Sequence, residues 1–111
     1  MNVTTIEKNG VLYIALDGEI DEHSVKTVRL NTDKTIEKHT ACVCVVFDLQ
    51  KVSFMDSTGI GFLIGRYKKI KSLGMNAYIT SPNASADKIL LMSGVYTLIP
   101  KINGYQAGGV Q

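Results

Sequence analysis

Val43-Cys44-Val45-Val46-Phe47-Asp48-Leu49, followed closely by Phe54-Met55-Asp56-Ser57-Thr58-Gly59, decides how this 111-residue chain folds. The first stretch lies in a nearly continuous apolar and β-branched run, Ala41 to Leu49, which marks a strand covered on both faces or central in its sheet. The second opens a helix in which Ile60, Leu63, Ile64, Tyr67, Ile70 and Leu73 recur at helical intervals, with Gly74 as the stop. A serine hydroxyl thus stands where a strand turns into a helix. The first N–H groups of a helix lack intrahelical partners and carry the positive end of the macrodipole. A hydroxyl there can cap the helix or, once esterified, hold a phosphate dianion.

Working outward, Val3 to Lys8 and Val11 to Leu16 flank Asn9-Gly10, the dipeptide suited to a type I′ hairpin turn. Asp17-Gly18-Glu19-Ile20-Asp21-Glu22-His23 reads as a polar loop. Val25, Val28, Thr32 and Ile36 then predict a helix from Glu22 to about Lys38, N-capped by Asp21. Ala77 to Thr80 forms a short strand, and Ser81-Pro82 supplies the N-cap and first position of a helix ending near Met92-Ser93-Gly94. Leu98 to Ile102 reads as an edge strand that tolerates Pro100. The predicted order is β-β-α-β-α-β-α-β, an α/β fold with a mixed, mostly parallel sheet, an N-terminal hairpin and β-α crossovers. It forms a single domain over residues 1–111, with an ordered core at about 3–102 and a glycine-rich, flexible tail at 103–111.

Composition excludes several classes of function. At 45% apolar and 20% charged residues with a formal net charge of +2, the chain is neither disordered nor a strongly basic nucleic-acid binder. Its start has no signal-peptide pattern, and no run approaches the roughly 18 apolar residues of a membrane span. It therefore reads as cytoplasmic, with no direct nucleic-acid or membrane partner, and Asn83-Ala84-Ser85 is an idle sequon. Cys42 and Cys44, two apart in a strand pattern, are expected to leave one face of the sheet and to be buried as small hydrophobes in a reducing compartment.

Candidate chemistry is sparse. Gly59-Ile60-Gly61-Phe62-Leu63-Ile64-Gly65 has G-x-G-x-x-x-G spacing rather than the dinucleotide fingerprint, and no acidic residue follows where a ribose would need one. The simpler reading is that these glycines let the helix pack close to the sheet. His39 has opposite parity to the two cysteines and no fourth ligand stands nearby, which disfavours zinc. Ser57 as a hydrolytic nucleophile lacks the G-x-S-x-G elbow and has only His23 and His39 as bases. No catalytic residue, cofactor site or metal site is expected. Asp56-Ser57-Thr58 makes a good helix cap; the competing reading is a phosphoacceptor gaining about −1.5 to −2 charges at pH 7. Arg66, Lys68, Lys69 and Lys71 read as a solvated face.

Gly18-Glu19-Ile20-Asp21, the run Asp48 to Gly61, Gly65-Arg66-Tyr67-Lys68-Lys69-Ile70-Lys71 and Met92-Ser93-Gly94-Val95 together resemble the STAS family, in order and spacing, over about residues 3 to 102. Within it they look most like the anti-sigma factor antagonists of sporulation. The resemblance implies a regulatory protein that is not an enzyme. The unmodified form would bind an anti-sigma factor that is also a serine kinase and so free a sigma factor. Phosphorylation at the position matching Ser57 would end that binding, and a serine phosphatase would restore it. It implies Asp21, Asp56, Ser57, Thr58 and Arg66 as the partner-binding set. Arg66 lies about 13 Å along the helix from Ser57, at 1.5 Å per residue, too far to pair with the phosphate. Thr58 adds a second hydroxyl where relatives often carry serine or alanine, and the glycine-rich tail replaces their C-terminal helix. Alternative readings are a structural STAS subunit of another signalling assembly and a small nucleotide-binding protein using Gly59 to Gly65.

Overall fold

Asn9 and Gly10 both adopt positive φ, 53° and 78°, and this turn joins β1 (Asn2–Lys8) to β2 (Val11–Ile20) as an antiparallel hairpin. The computed structural model describes residues 1–103; the expected tail lies almost wholly outside the described residues. After the hairpin come α1 (Glu22–Glu37), β3 (Cys44–Met55), α2 (Ser57–Ser72), β4 (Asn76–Thr80), α3 (Ala84–Ser93), a 3-10 turn (Val95–Thr97) and β5 (Lys101–Ile102). The predicted order holds. The five strands lie side by side in sequence order, and every pair after the hairpin is parallel.

Strands advancing steadily in one direction, each joined by a right-handed helical crossover, put all three helices on one side of the sheet. Leu12, Ile14 and Leu16 of β2, Val45, Phe47 and Leu49 of β3, and Ala77 and Ile79 of β4 point there. They meet Val25 and Ile36 of α1, Phe62, Leu63 and Ile70 of α2, and Ala86 and Leu90 of α3.

β3 runs well beyond the expected end at Leu49, and its register explains why the alternation became illegible. Between Ala15 and Asp17 of β2 the partner positions move from Asp48 to Lys51, and between Gly18 and Glu19 from Val52 to Phe54. β3 therefore carries one extra residue at each of two bulges. Each bulge shifts side-chain parity, so the buried positions become Leu49, Val52 and Met55, three apart. The same pairing keeps Gly18 to Ile20 in β2, where a loop was expected.

Three further expectations are corrected. Cys42 and Cys44 are both buried but on opposite sides of the sheet, because Cys42 precedes the strand. Asn83, rather than Ser81, caps α3, accepting the Ala86 N–H at 2.8 Å. Ser81 instead takes a left-handed φ of 59° that turns the chain before Pro82. The edge strand shortens to Lys101–Ile102, since the Leu98 and Ile99 N–H groups bond back to the Val95 carbonyl and extend the turn that begins at Val95.

Candidate functional site

β2 and β3 are parallel neighbours whose last paired residues are Ile20 and Met55. The residues that follow, Asp21 and Asp56, therefore emerge side by side at the same end of the sheet, and the Asp56 N–H donates to the Ile20 carbonyl at 3.4 Å. Each begins a helix. Asp21 accepts the Ser24 N–H at 2.9 Å while the Ser24 hydroxyl accepts the Asp21 N–H at 3.0 Å, a reciprocal capping box. That backbone hydrogen bond from Ser24 is the main cause holding the Asp21 carboxyl below its ordinary range. Asp56 accepts the Thr58 N–H at 2.9 Å.

The cap of α2 is therefore Asp56, which leaves Ser57 in the first helical position. Ser57 is exposed, and its hydroxyl has no hydrogen-bond partner among the described residues. Thr58, one position on, is half-buried. A third helix start joins this end of the sheet, because the Asn83 side chain donates to the Val52 carbonyl at 3.0 Å and ties the β4–α3 loop to β3. Three positive helix ends thus open at the same edge, and Ser57 is a hydroxyl there that the fold does not use.

Close packing holds α2 in place. A Cβ on Gly59 would sit 2.5 Å from Met55 Cγ and 3.1 Å from Ile20 Cγ2, so this position requires glycine. Gly61 and Gly65 have open space around their Cα atoms. The expectation that all three glycines serve approach to the sheet is thus correct for Gly59 alone.

Arg66 is not on a solvated face. It is 6% exposed, with Nε 2.6 Å from Asp33 Oδ1 of α1 and its guanidinium 5.0 Å from the centre of the Phe62 ring. The Nε–H is not aimed at that oxygen, and Nη1 is also buried without a hydrogen bond, so the contact is an ion pair rather than an aligned bond. Burial lowers the guanidinium pKa, and the Asp33 charge opposes that shift. Lys69 pairs with Glu37, also of α1, whereas Lys68 and Lys71 face water. The structure therefore brings Asp21, Asp56, Ser57 and Thr58 together and puts Arg66 between the two helices. Gly59, Phe62, Leu63, Arg66 and Ile70 share one helical stripe, which is the sequence signal for this placement.

Phe54 was not among the expected site residues. It is 50% exposed at the end of β3, two residues before Asp56. Its position beside the second bulge is what turns an aromatic side chain outward.

Comparison with known proteins gives this geometry its context. The sequence profile of the STAS domain matches residues 2–106. The anti-sigma F factor antagonist of Paenibacillus polymyxa is 36% identical over 91 residues, covering 82% of this chain and 77% of that protein. The fold superposes on the anti-sigma factor antagonist SpoIIAA in its unphosphorylated form with a TM-score of 0.77 at 22% identity, covering 95% of this chain and 90% of that one. On the Bacillus cell fate determinant SpoIIAA in the phosphorylated form, the TM-score is 0.70 at 22% identity, with 95% and 93% covered. Among the described residues, no helix is long and apolar enough to cross a membrane.

Proposed function

Because the chain belongs to the STAS domain family, we propose that it is an anti-sigma factor antagonist switched by phosphorylation of Ser57. The observation that carries this reading is the free Ser57 hydroxyl: Asp56 does the capping, and Ser57 stands exposed in the first turn of α2. In the unmodified state, Asp21, Asp56, Ser57 and Thr58 form the surface that binds an anti-sigma factor serine kinase and frees its sigma factor. The kinase holds ATP, the Ser57 oxygen attacks the γ-phosphorus, ADP leaves, and the serine proton passes to a base of the kinase. This chain is the substrate and contributes no catalytic group.

The phosphate arrives where the helix dipole favours an anion, so the fold tolerates it. It also arrives beside Asp56 and close to Asp21, which makes this end of the molecule strongly anionic. An interface that accepts a neutral hydroxyl then meets like-charge and desolvation costs against an acidic or nucleotide-bearing partner. A serine phosphatase resets the surface. Arg66, buried against Asp33, contributes by fixing α1 against α2 so that the starts of both helices stay in register. Similarity to an anti-sigma F factor antagonist supports sporulation as the program and the cytoplasm as the place of action.

Incubation with the cognate anti-sigma kinase and ATP is expected to add one phosphate, located at Ser57 by mass spectrometry. The Ser57→Ala variant is expected to take up none while still binding the kinase. Phosphate on Thr58, or no complex with the kinase, overturns the proposal.

A further inference from the structure

The two edges of the sheet are built differently. β5 is two residues long, directly follows Pro100 and carries Lys101, features that blunt an edge against further pairing. β1, at the other edge, is seven residues long, has neither proline nor bulge, and keeps its charged residues, Glu7 and Lys8, at one end. The hairpin turn decides which of its backbone groups face outward. A two-residue turn is closed by a hydrogen-bonded pair, here Lys8 and Val11, so Lys8, Ile6, Thr4 and Asn2 direct their N–H and C=O groups towards β2. The Gly10 carbonyl accepts the Val43 N–H at 2.8 Å on the β3 side, which sets the same alternation in β2. Val3, Thr5 and Glu7 therefore direct their backbone groups away from the sheet, and no strand among the described residues meets them.

We propose that β1 pairs antiparallel with β1 of a second copy of this chain, about a two-fold axis at Thr5, joining the two sheets into one. The strand is complementary to itself in this register. Thr5 lies opposite Thr5 of the second copy and Val3 opposite Glu7, so every outward N–H and C=O of β1 gains a partner. On the helix-free side Thr4 lies opposite Ile6 and Asn2 opposite Lys8, so no like charges face each other. Ile6, 56% exposed in the single chain, becomes the diagonal neighbour of Ile6 of the second copy. On the helix side, Val3, Thr5 and Glu7 are the partners of Leu16, Ile14 and Leu12. A cleft of about 310 Å³ opens there between β1 and α1, lined by neutral side chains that include Val3, Thr5, Val28, Asn31 and Thr35. It leaves room beside the seam for the second copy's side chains. The pairing goes beyond the switch at Ser57 and does not depend on it.

Sedimentation equilibrium of the full chain tests this. Between about 10 µM and about 1 mM the mass is expected to rise from one chain towards two, with a Kd on the order of 0.1 mM for so small an interface. Two variants address the seam. Thr5→Pro removes an outward N–H that β2 does not use, and Thr5→Lys sets two ammonium groups opposite each other at the two-fold axis while keeping every backbone group. Both are expected to dimerise at least about tenfold more weakly, with the melting temperature of Thr5→Lys unchanged; Thr5→Lys decides alone if the proline disturbs β1. A single-chain mass for the unaltered protein at about 1 mM overturns the proposal. Dimerisation of Thr5→Lys as tight as the parent's also overturns it, by assigning the dimer to another surface.

Discussion

The inner face of α2 sets Gly59, Phe62, Leu63, Arg66 and Ile70 against the sheet and α1, whereas its outer face leaves Ser57, Gly61 and Lys68 exposed. The same residue type means different things on the two. Gly59 is fixed by contact with Met55 and Ile20, while Gly61 and Gly65 weaken the helix without any packing reason inside the fold. Positions that cost helix stability and touch nothing internal are free to serve an outside contact. The inner face thus holds α2 in place, and the outer face is available to a partner.

This contrast is most easily broken at Arg66. Arg66→Ala removes the Asp33 partner and the contact with Phe62, and is expected to cost about 3 kcal/mol, lowering the melting temperature by well over 10 °C. A melting point within a degree or two of the parent's shows that Arg66 does not hold the helices together. Gly59→Ala forces Met55 and Ile20 aside and should cost about 2 kcal/mol in urea unfolding. A neutral or stabilising effect would remove the inner-face role of this glycine. Gly61→Ala has the opposite sign, a gain of up to about 1 kcal/mol from helix propensity. The contrast sharpens if the same variant binds the anti-sigma kinase more weakly despite being more stable.

The smallest effect lies on the acid side. Asp21 and Asp87 both have depressed pKa values, Asp21 chiefly through the Ser24 N–H and Asp87 chiefly through the Tyr96 hydroxyl at 2.6 Å. Groups of this kind add stability above the ordinary value of 3.8 that is lost as pH falls through their lower folded values. Asp21→Asn retains a capping oxygen, so its stability should match the parent's at pH 7 and decline less steeply below pH about 4. Parallel curves at all pH values would show that the Asp21 charge plays no part in its cap.

Much of this architecture is legible in the sequence, for physical reasons that differ from element to element. Asn9-Gly10 gives away the hairpin because few other residues adopt two consecutive positive φ values. The start of α1 is equally clear, because Asp21 is a good N-cap directly before the helically spaced apolar residues; its capping box with Ser24 emerges only from the structure. The far half of β3 is not legible, since two extra residues turn an alternation of two into a spacing of three. Arg66 is misread for another reason: its position on the buried stripe is visible, but its partner Asp33 lies on a different helix. At the site, the serine at the strand-to-helix junction stands out from the start. The division of labour with Asp56 does not, because aspartate and serine are both good caps and one residue of register separates them.

The central claim concerns what one phosphate does to one surface. Titration of the cognate anti-sigma kinase with the unmodified chain and with the chain phosphorylated at Ser57, by calorimetry in the same buffer, tests it most directly. The phosphorylated form is expected to bind about 100-fold more weakly or worse, with unchanged thermal stability. Equal affinity of the two forms would contradict it.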